Sequence, residues 1–428
     1  MARTSLSGFP EWLPQGRIVE QAILDHIRMV FELHGFAGIE TRAVETLEQL
    51  QSKGETSKEI YVLDRLQALK EEGGRSSKER QMGLHFDLTV PFARYVIENA
   101  NELDFPFKRY QIQKVWRGER PQDGRFREFT QADIDVVGLG ELPFHYEVEL
   151  PLVMAEALMS LPIPPVHVLV NNRKVVQGIC EGLGVDDVES ALRGLDKLDK
   201  IGPEGVAEEL AEAGLEQPQI HVLLRMAQIR TEDSKHLRSQ VNALGVSSET
   251  LTQGLDELCA LVEQAGAAMP GVVLADLKIA RGLDYYTGSV YESEIVGHED
   301  LGSICSGGRY DSLAKDGKRS YPGVGLSIGV SRLVSRLLSQ DMVTASRKVP
   351  TCVVIAVADE EQRQHCNALA TILRKRGIPF VWFPGSEGEA DTVKDIRSGE
   401  QVQADIYSWQ PPVEDLHPSV VPAQDSND

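Results

Sequence analysis

Only five cysteines occur in 428 residues, and they are scattered: Cys180, Cys259, Cys305, Cys352 and Cys366 form no CxxC pair and have no histidine cluster nearby. That excludes a disulfide framework and a structural zinc knot, and it fits a reducing, cytoplasmic compartment. Long apolar runs are also missing. Met1 to Pro10 has no apolar signal core, and no stretch approaches the length of a membrane span, so no membrane partner is expected. Basic charge is short, with 44 Lys and Arg against 65 Asp and Glu, a formal charge of −21. Such a balance argues against a broad, sequence-independent grip on nucleic acid, although a local basic patch remains compatible with it. The apolar fraction of 42% is ordinary for a globular chain, and the length allows two or three domains with a sizeable core.

The richest stretch runs from Arg109 to Val137. In its first half Arg109, Gln111, Gln113 and Arg117 alternate with Tyr110, Ile112 and Trp116. In its second half Phe129, Gln131, Asp133 and Asp135 alternate with Ala132, Ile134 and Val136. Period-two alternation predicts an antiparallel hairpin whose apolar side packs on a core and whose polar side faces water or a ligand. The connection, Gly118 to Arg127, carries Arg120, Arg125 and Arg127 beside Gly124, a flexible cationic flap suited to a polyanion. Guanidinium groups, an aromatic face and two carboxylates on one hairpin suggest a site for a nucleotide together with a small amine-bearing substrate.

Around the hairpin, helices are predicted over Gly16 to His34, ending at Gly35, over Thr89 to Glu98, and over Tyr146 to Met159. From Asn172 to about Ala268 helical spacing dominates, an insertion that is either a structural or regulatory module or a substrate clamp. Strands return at Val272 to Leu277, Tyr285 to Glu294 and Gly323 to Val330, and Ser331 is placed to cap a following helix. Further strand, helix and strand patterns cover Cys352 to Val357, Asp359 to Lys375 and Phe380 to Phe383. From Gln410 the chain is rich in Pro, Asp and Ser, which predicts a disordered tail.

Five segments between Gly35 and Arg332 resemble, in order, the motifs of class II aminoacyl-tRNA synthetases and, within that class, of histidyl-tRNA synthetases. They are Gly35 to Thr41 after the first helix, Val115-Trp116-Arg117-Gly118-Glu119-Arg120 through Phe129, Arg281 to Gly288, Ser306 to Asp311, and Gly325 to Arg332. The resemblance implies an α+β fold: a class II antiparallel sheet flanked by helices, with a helical insertion and a small, shortened C-terminal α/β domain. The implied domains are a catalytic core in two parts (1–170 and 269–345), the insertion (171–268), an anticodon-binding-like domain (346–409) and the tail (410–428).

It implies that L-histidine is activated by ATP and passed to tRNA(His), by a cytoplasmic homodimer with its dimer interface at the first motif. Displacement at an α-phosphate builds charge on phosphoryl oxygens, so fixed cations should dominate catalysis. Arg117 matches the arginine that holds the α-phosphate, and Arg281 the one across from it near the substrate carboxylate. Arg332, at a helix start, matches a γ-phosphate ligand. Glu119 and Phe129 match the residues that read and stack on adenine, and Arg125 lies in the flap. Mg2+ would come with ATP, held by its oxygens, with no tightly bound protein metal. For histidine, the matches are Asp87, Thr89 and Gln131 on the ammonium group, Asp135 and Tyr286 on the ring, and Tyr310 close by. Tyr285 is either core or site. Gly307-Gly308 is either a turn or a close backbone approach to the amino acid.

Three departures stand out. Arg42 occupies the place of a proline in the first motif, and Ser331 that of an acid before Arg332. In the C-terminal region the middle strand and helix of the family's last domain are missing, which predicts a thinner core and weaker anticodon contacts. Two other functions are compatible with the resemblance: a non-catalytic histidine sensor of the kind that regulates ATP phosphoribosyltransferase, and a ligase that activates histidine but charges tRNA poorly.

Overall fold

The computed structural model describes residues 6–51, 59–64, 81–122, 124–280, 286–317, 319–357, 360–384, 392–395 and 399–423. It divides into two compact units, one made of 1–11 and 24–340, the other of 12–23 and 341–428.

The larger unit is built on a nine-stranded sheet. Its strands lie in the order Ala37–Gly38, Phe107–Trp116, Glu128–Val137, Gly323–Gly329, Cys305–Tyr310, Ser289–Ile295, Val166–Asn172, Val273–Asp276 and Arg230–Thr231. The six from Phe107–Trp116 to Val166–Asn172 pair antiparallel, while Ala37–Gly38 and Val273–Asp276 add parallel pairs toward the edges. Helix His145–Met159 buries Leu150, Val153, Met154 and Leu158, and Ala132, Ile134 and Val136 of the central strand are fully buried too. Helix Val330–Ser339 buries Leu333, Val334 and Leu337. Full burial of a Val or Leu side chain contributes about 1.5–3 kcal/mol each, so this layer is the main stabilising term of the unit.

The first helix spans Pro14–Leu33 and stops where Gly35 takes a φ of +77°. There the Phe36 N–H donates to Phe31 O at 3.1 Å, closing the last turn in the manner a left-handed glycine permits. Residues 173–268 form six helices and one short strand, and side chains cap most of the helix starts. Asn172, Asp187, Asp233 and Ser248 each accept a backbone N–H of the following first turn.

Several expectations are corrected. On Phe107–Trp116 the polar side is the covered one: Arg109 and Gln111 are fully buried, while Tyr110, Ile112 and Trp116 are half-buried. Helix Thr89–Asn99 closes over that side and sets the Phe92 ring 4.2 Å from the Arg109 guanidinium. Ser331 is not a cap but sits inside its helix, where its hydroxyl accepts the Thr130 N–H at 2.9 Å. Gly307 and Gly308 form no turn; they lie mid-strand in Cys305–Tyr310. The strand expected from Tyr285 begins at Ser289.

In the smaller unit, strands Val353–Val357 and Phe380–Pro384 pair in parallel and are joined by helix Arg363–Lys375. A hairpin follows, Thr392–Lys394 with Gln401–Gln403. The expected disordered tail instead carries a short helix, Val413–Leu416, and a strand, Val420–Pro422, paired with Val343–Ala345. Backbone pairing outweighs the polar composition there. Val354 and Val381 stand opposite one another on the parallel pair and are 58% and 42% exposed, so this sheet face lacks a covering layer among the described residues.

Candidate active site

Two adjoining cavities open on one face of the large sheet. The outer one has a volume of about 240 Å3 and the inner one about 20 Å3. Ser306 and Ser327 line both, so the two form one continuous site.

Arg117, Glu119, Arg125, Phe129 and Arg332, all expected at ATP, line the outer cavity, together with Gln131. Arg117 donates from Nε to Phe86 O at 3.0 Å and lies 5.1 Å from the Phe129 ring, which fixes its guanidinium beside an aromatic platform. Arg332, in the first turn of helix Val330–Ser339, donates from Nη2 to Leu301 O at 2.7 Å. The positive end of that helix adds to its charge. Arg125 and Glu119 approach at 3.7 Å at the rim. Glu59, which has no counterpart among the expected residues, joins them: burial first, then repulsion from Glu119, raises its carboxyl above the usual range. Cys305 lines this cavity as well, and burial pushes its thiol well up, so it stays neutral.

The inner cavity is lined by Thr89, Asp135, Tyr286 and Tyr310, all expected at histidine, and by Asp133, Gly307 and Gly325. Asp135 is held from two directions. Tyr310 Oη donates to Oδ1 at 2.7 Å, and Arg109 Nη2 approaches Oδ2 at 2.6 Å. The Arg109 contact is an ion pair whose angles fall outside those of a hydrogen bond. Gly325 makes room for this cluster: a Cβ there would fall 2.0 Å from Asp135 Oδ1. Gly307 is equally constrained, because a Cβ would meet Gly325 O at 2.0 Å. Gln131 donates from Nε2 to Ser327 Oγ at 2.6 Å. Asp87 Oδ1 accepts the Val90 N–H at 3.1 Å and so holds the start of helix Thr89–Asn99 against the site.

Arg281 and Tyr285 lie outside the described residues. Contributors without an assigned role from sequence include Asp133, Arg109 as a buried counter-ion, and the two serines. Asp133 and Arg109 share the polar faces of the hairpin, which was a usable signal. Ser306 and Ser327 lie in two of the motif segments, but only strand pairing brings them opposite one another.

A family model described as histidyl-tRNA synthetase matches residues 8–333. The chain belongs to the histidyl-tRNA synthetase family. The histidine–tRNA ligase of Micrococcus luteus is 54% identical over 99% of both chains, and that of Thermobifida fusca 49% over 95% of this chain and 98% of its own. Among solved structures, histidyl-tRNA synthetase from Nostoc sp. PCC 7120 is 33% identical with a TM-score of 0.81, covering 94% of this chain and 96% of that one. A Bacillus halodurans protein described as an ATP phosphoribosyltransferase regulatory subunit/histidyl-tRNA synthetase shares the fold at a TM-score of 0.72, with 20% identity. Membership in the family accounts for the order of the five motifs, and the class II α+β sheet is the family's fold.

Proposed function

We infer that this chain is a histidine–tRNA ligase. It converts L-histidine and ATP to histidyl-adenylate and pyrophosphate, then transfers the histidyl group to the 3′ end of tRNA(His). The observation that carries this reading is the continuity of the two cavities through Ser306 and Ser327, one lined by arginines and an aromatic ring, the other by a buried carboxylate and two tyrosines. Full-length similarity to histidine–tRNA ligases supports it. The regulatory reading is weaker, since a sensor has no need of the arginine set, and the regulatory-type neighbour shares the fold alone.

In this reading Phe129 stacks on adenine and Glu119 reads its edge. Arg117 and Arg332 then fix the triphosphate, with Mg2+ carried by the substrate's own oxygens. As the histidine carboxylate attacks the α-phosphate, the preorganised guanidinium groups stabilise the charge that builds there, without solvent reorganisation. Arg281 is assigned the position across the phosphate, and Arg125 covers the phosphates from the flap. In the inner cavity Asp135, oriented by Tyr310 and Arg109, accepts an N–H of the imidazole, with Tyr286 on the ring. Thr89, Gln131 and Asp87 take the ammonium end. An analogue without ring nitrogens would forfeit the imidazole N–H bond to the buried Asp135 carboxylate, which is a basis for rejection.

A homodimer is part of the proposal, supported by the half-exposed Met29 and more exposed Leu33 on the first helix, beside the segment that resembles the dimer motif. So is a cytoplasmic location; no helix among the described residues is long and apolar enough to cross a membrane. Alignment with the Micrococcus ligase runs over 456 positions against a chain of 428 residues, so this chain lacks segments its relative has. The thin C-terminal unit supports a weaker anticodon grip. A pyrophosphate-exchange assay across all twenty amino acids tests the core reading, with exchange expected for histidine alone. No exchange with any amino acid would leave the sensor. A tRNA-charging assay then measures the C-terminal deficit.

A further inference from the structure

Strand Glu128–Val137 carries Gln131, Asp133 and Asp135 in succession along one face. Gln131 lines the outer cavity and Asp135 the inner one. Asp133 stands opposite Ser327, which stands opposite Ser306, and those two serines line both cavities. Asp133 therefore marks their junction.

Its carboxylate is 97% withdrawn from solvent (3% exposed), and Oδ1 has no hydrogen-bond partner among the described residues. The charged and titratable groups around it are Arg109 on the neighbouring strand, Asp135 on its own, Asp87 before helix Thr89–Asn99, and the Cys305 thiol. Arg109 is the cation of this group, and it lies in ion-pair contact with Asp135 at 2.6 Å. Among the described residues the cluster thus holds more carboxylates than cations. Burial, partly offset by Arg109 and by a hydrogen bond from the Ser327 hydroxyl, holds the Asp133 carboxyl up at about 7. A buried carboxylate with an open oxygen is costly unless a cation meets it.

The ligand supplies that cation by its geometry. An amino acid whose carboxylate reaches the nucleotide in the outer cavity, and whose side chain fills the inner one, sets its α-carbon at the junction. Gln131 Oε1, also without a partner among the described residues, lies on the same strand face one pleat away. We propose that Asp133 also binds the α-ammonium group of the substrate, as a further counter-charge beside Asp87, Thr89 and Gln131. This deepens, and rests on, the reading of the site as one that activates an amino acid. It also explains the tolerated burial: the free protein carries an unfavourable carboxyl that substrate binding relieves.

Calorimetric binding of two analogues to the full chain near pH 8 tests it. Histidinol keeps the ring and ammonium but lacks the carboxylate; imidazolylpropionate keeps the ring and carboxylate but lacks the ammonium. Asp133→Asn is expected to weaken histidinol by about tenfold or more and imidazolylpropionate by less than about twofold. Asp133→Ser should behave alike, and neither should lower the thermal midpoint of the free protein at that pH. Equal weakening of both analogues, unchanged histidinol binding, or a lowered midpoint in both variants would overturn the proposal. Histidine-dependent exchange by the unsubstituted protein is scored separately. Its absence would sink the functional reading, while the analogue comparison would still decide the role of Asp133.

Discussion

The two cavities share a sheet face and two serines, yet they handle charge in opposite ways. In the outer one, guanidinium groups stand at the rim in partial contact with water; Arg125 is 44% exposed and its approach to Glu119 is a loose 3.7 Å. In the inner one, Arg109 and Asp135 are essentially dry and lie 2.6 Å apart. Water screens the first set and leaves its cations ready for a polyanion that arrives with its own charge. The second set is closed before any ligand enters, and it owes its arrangement to packing under helix Thr89–Asn99. Charge at the rim should therefore govern rate, and charge in the interior should govern both selectivity and stability.

The largest break in this contrast should come from Arg117→Ala. Histidine-dependent exchange is expected to fall by about a thousandfold or more while the thermal midpoint stays near that of the unsubstituted protein, since the lost role is transition-state charge. Near-normal exchange would remove Arg117 from the phosphate site. Arg109→Ala should do the reverse. Leaving Asp135 buried without its cation should cost about 3–5 kcal/mol in urea unfolding. A loss below about 1 kcal/mol would show that the pair is worth no more than a surface one.

Gly325→Ala sharpens the inner side alone. Its new methyl would press on Asp135, so KM for histidine should rise by about tenfold, with KM for ATP little changed. Equal changes in both would mean the sheet, not the pocket, had moved.

A smaller and pH-dependent effect concerns Asp133. Its carboxyl titrates near 7 in the folded chain against an ordinary 3.8. Between those values the folded state retains a proton that the unfolded chain has lost, so stability falls as pH rises from about 4 to about 7. Asp133→Asn removes that component. The variant should gain on the parent in urea midpoint as pH is raised from 5 to 8, and a pH-independent difference would refute the assignment. Least affected should be Arg125→Ala, with a few-fold rise in KM for ATP, because an exposed, screened cation contributes little (about 1 kcal/mol or less).

Much of the larger unit could be read from local pattern. The helix ending at Gly35, the hairpin strands and the helix carrying Leu333 to Leu337 follow from apolar spacing and turn residues, which act over a few positions. The hairpin also shows where such reading stops. Alternation separates two faces but does not say which is covered, and the polar face of Arg109 and Gln111 became the buried one because helix Thr89–Asn99 lies across it. The sequence leaves the Gly307-Gly308 pair open between a turn and a close backbone approach, since both demand glycine. The segment after Gln410 looked disordered because its strand is stabilised by pairing with Val343–Ala345, more than seventy residues away.

Arg117, Glu119, Phe129 and Arg332 are assigned to the nucleotide by the resemblance of their segments to family motifs, and all four line the outer cavity. The inner cavity is only half legible in the sequence: Asp135 and Tyr310 can be named, but not the ion pair and the glycine clearance that hold them. Sequence alone determined which residues can bind phosphate and which can form strands, because those properties reside in side chains and their nearest neighbours. Tertiary structure alone decided that Asp133, Ser327 and Ser306 would form one row between two cavities. Strand register joins residues nearly two hundred positions apart, and no local pattern encodes it.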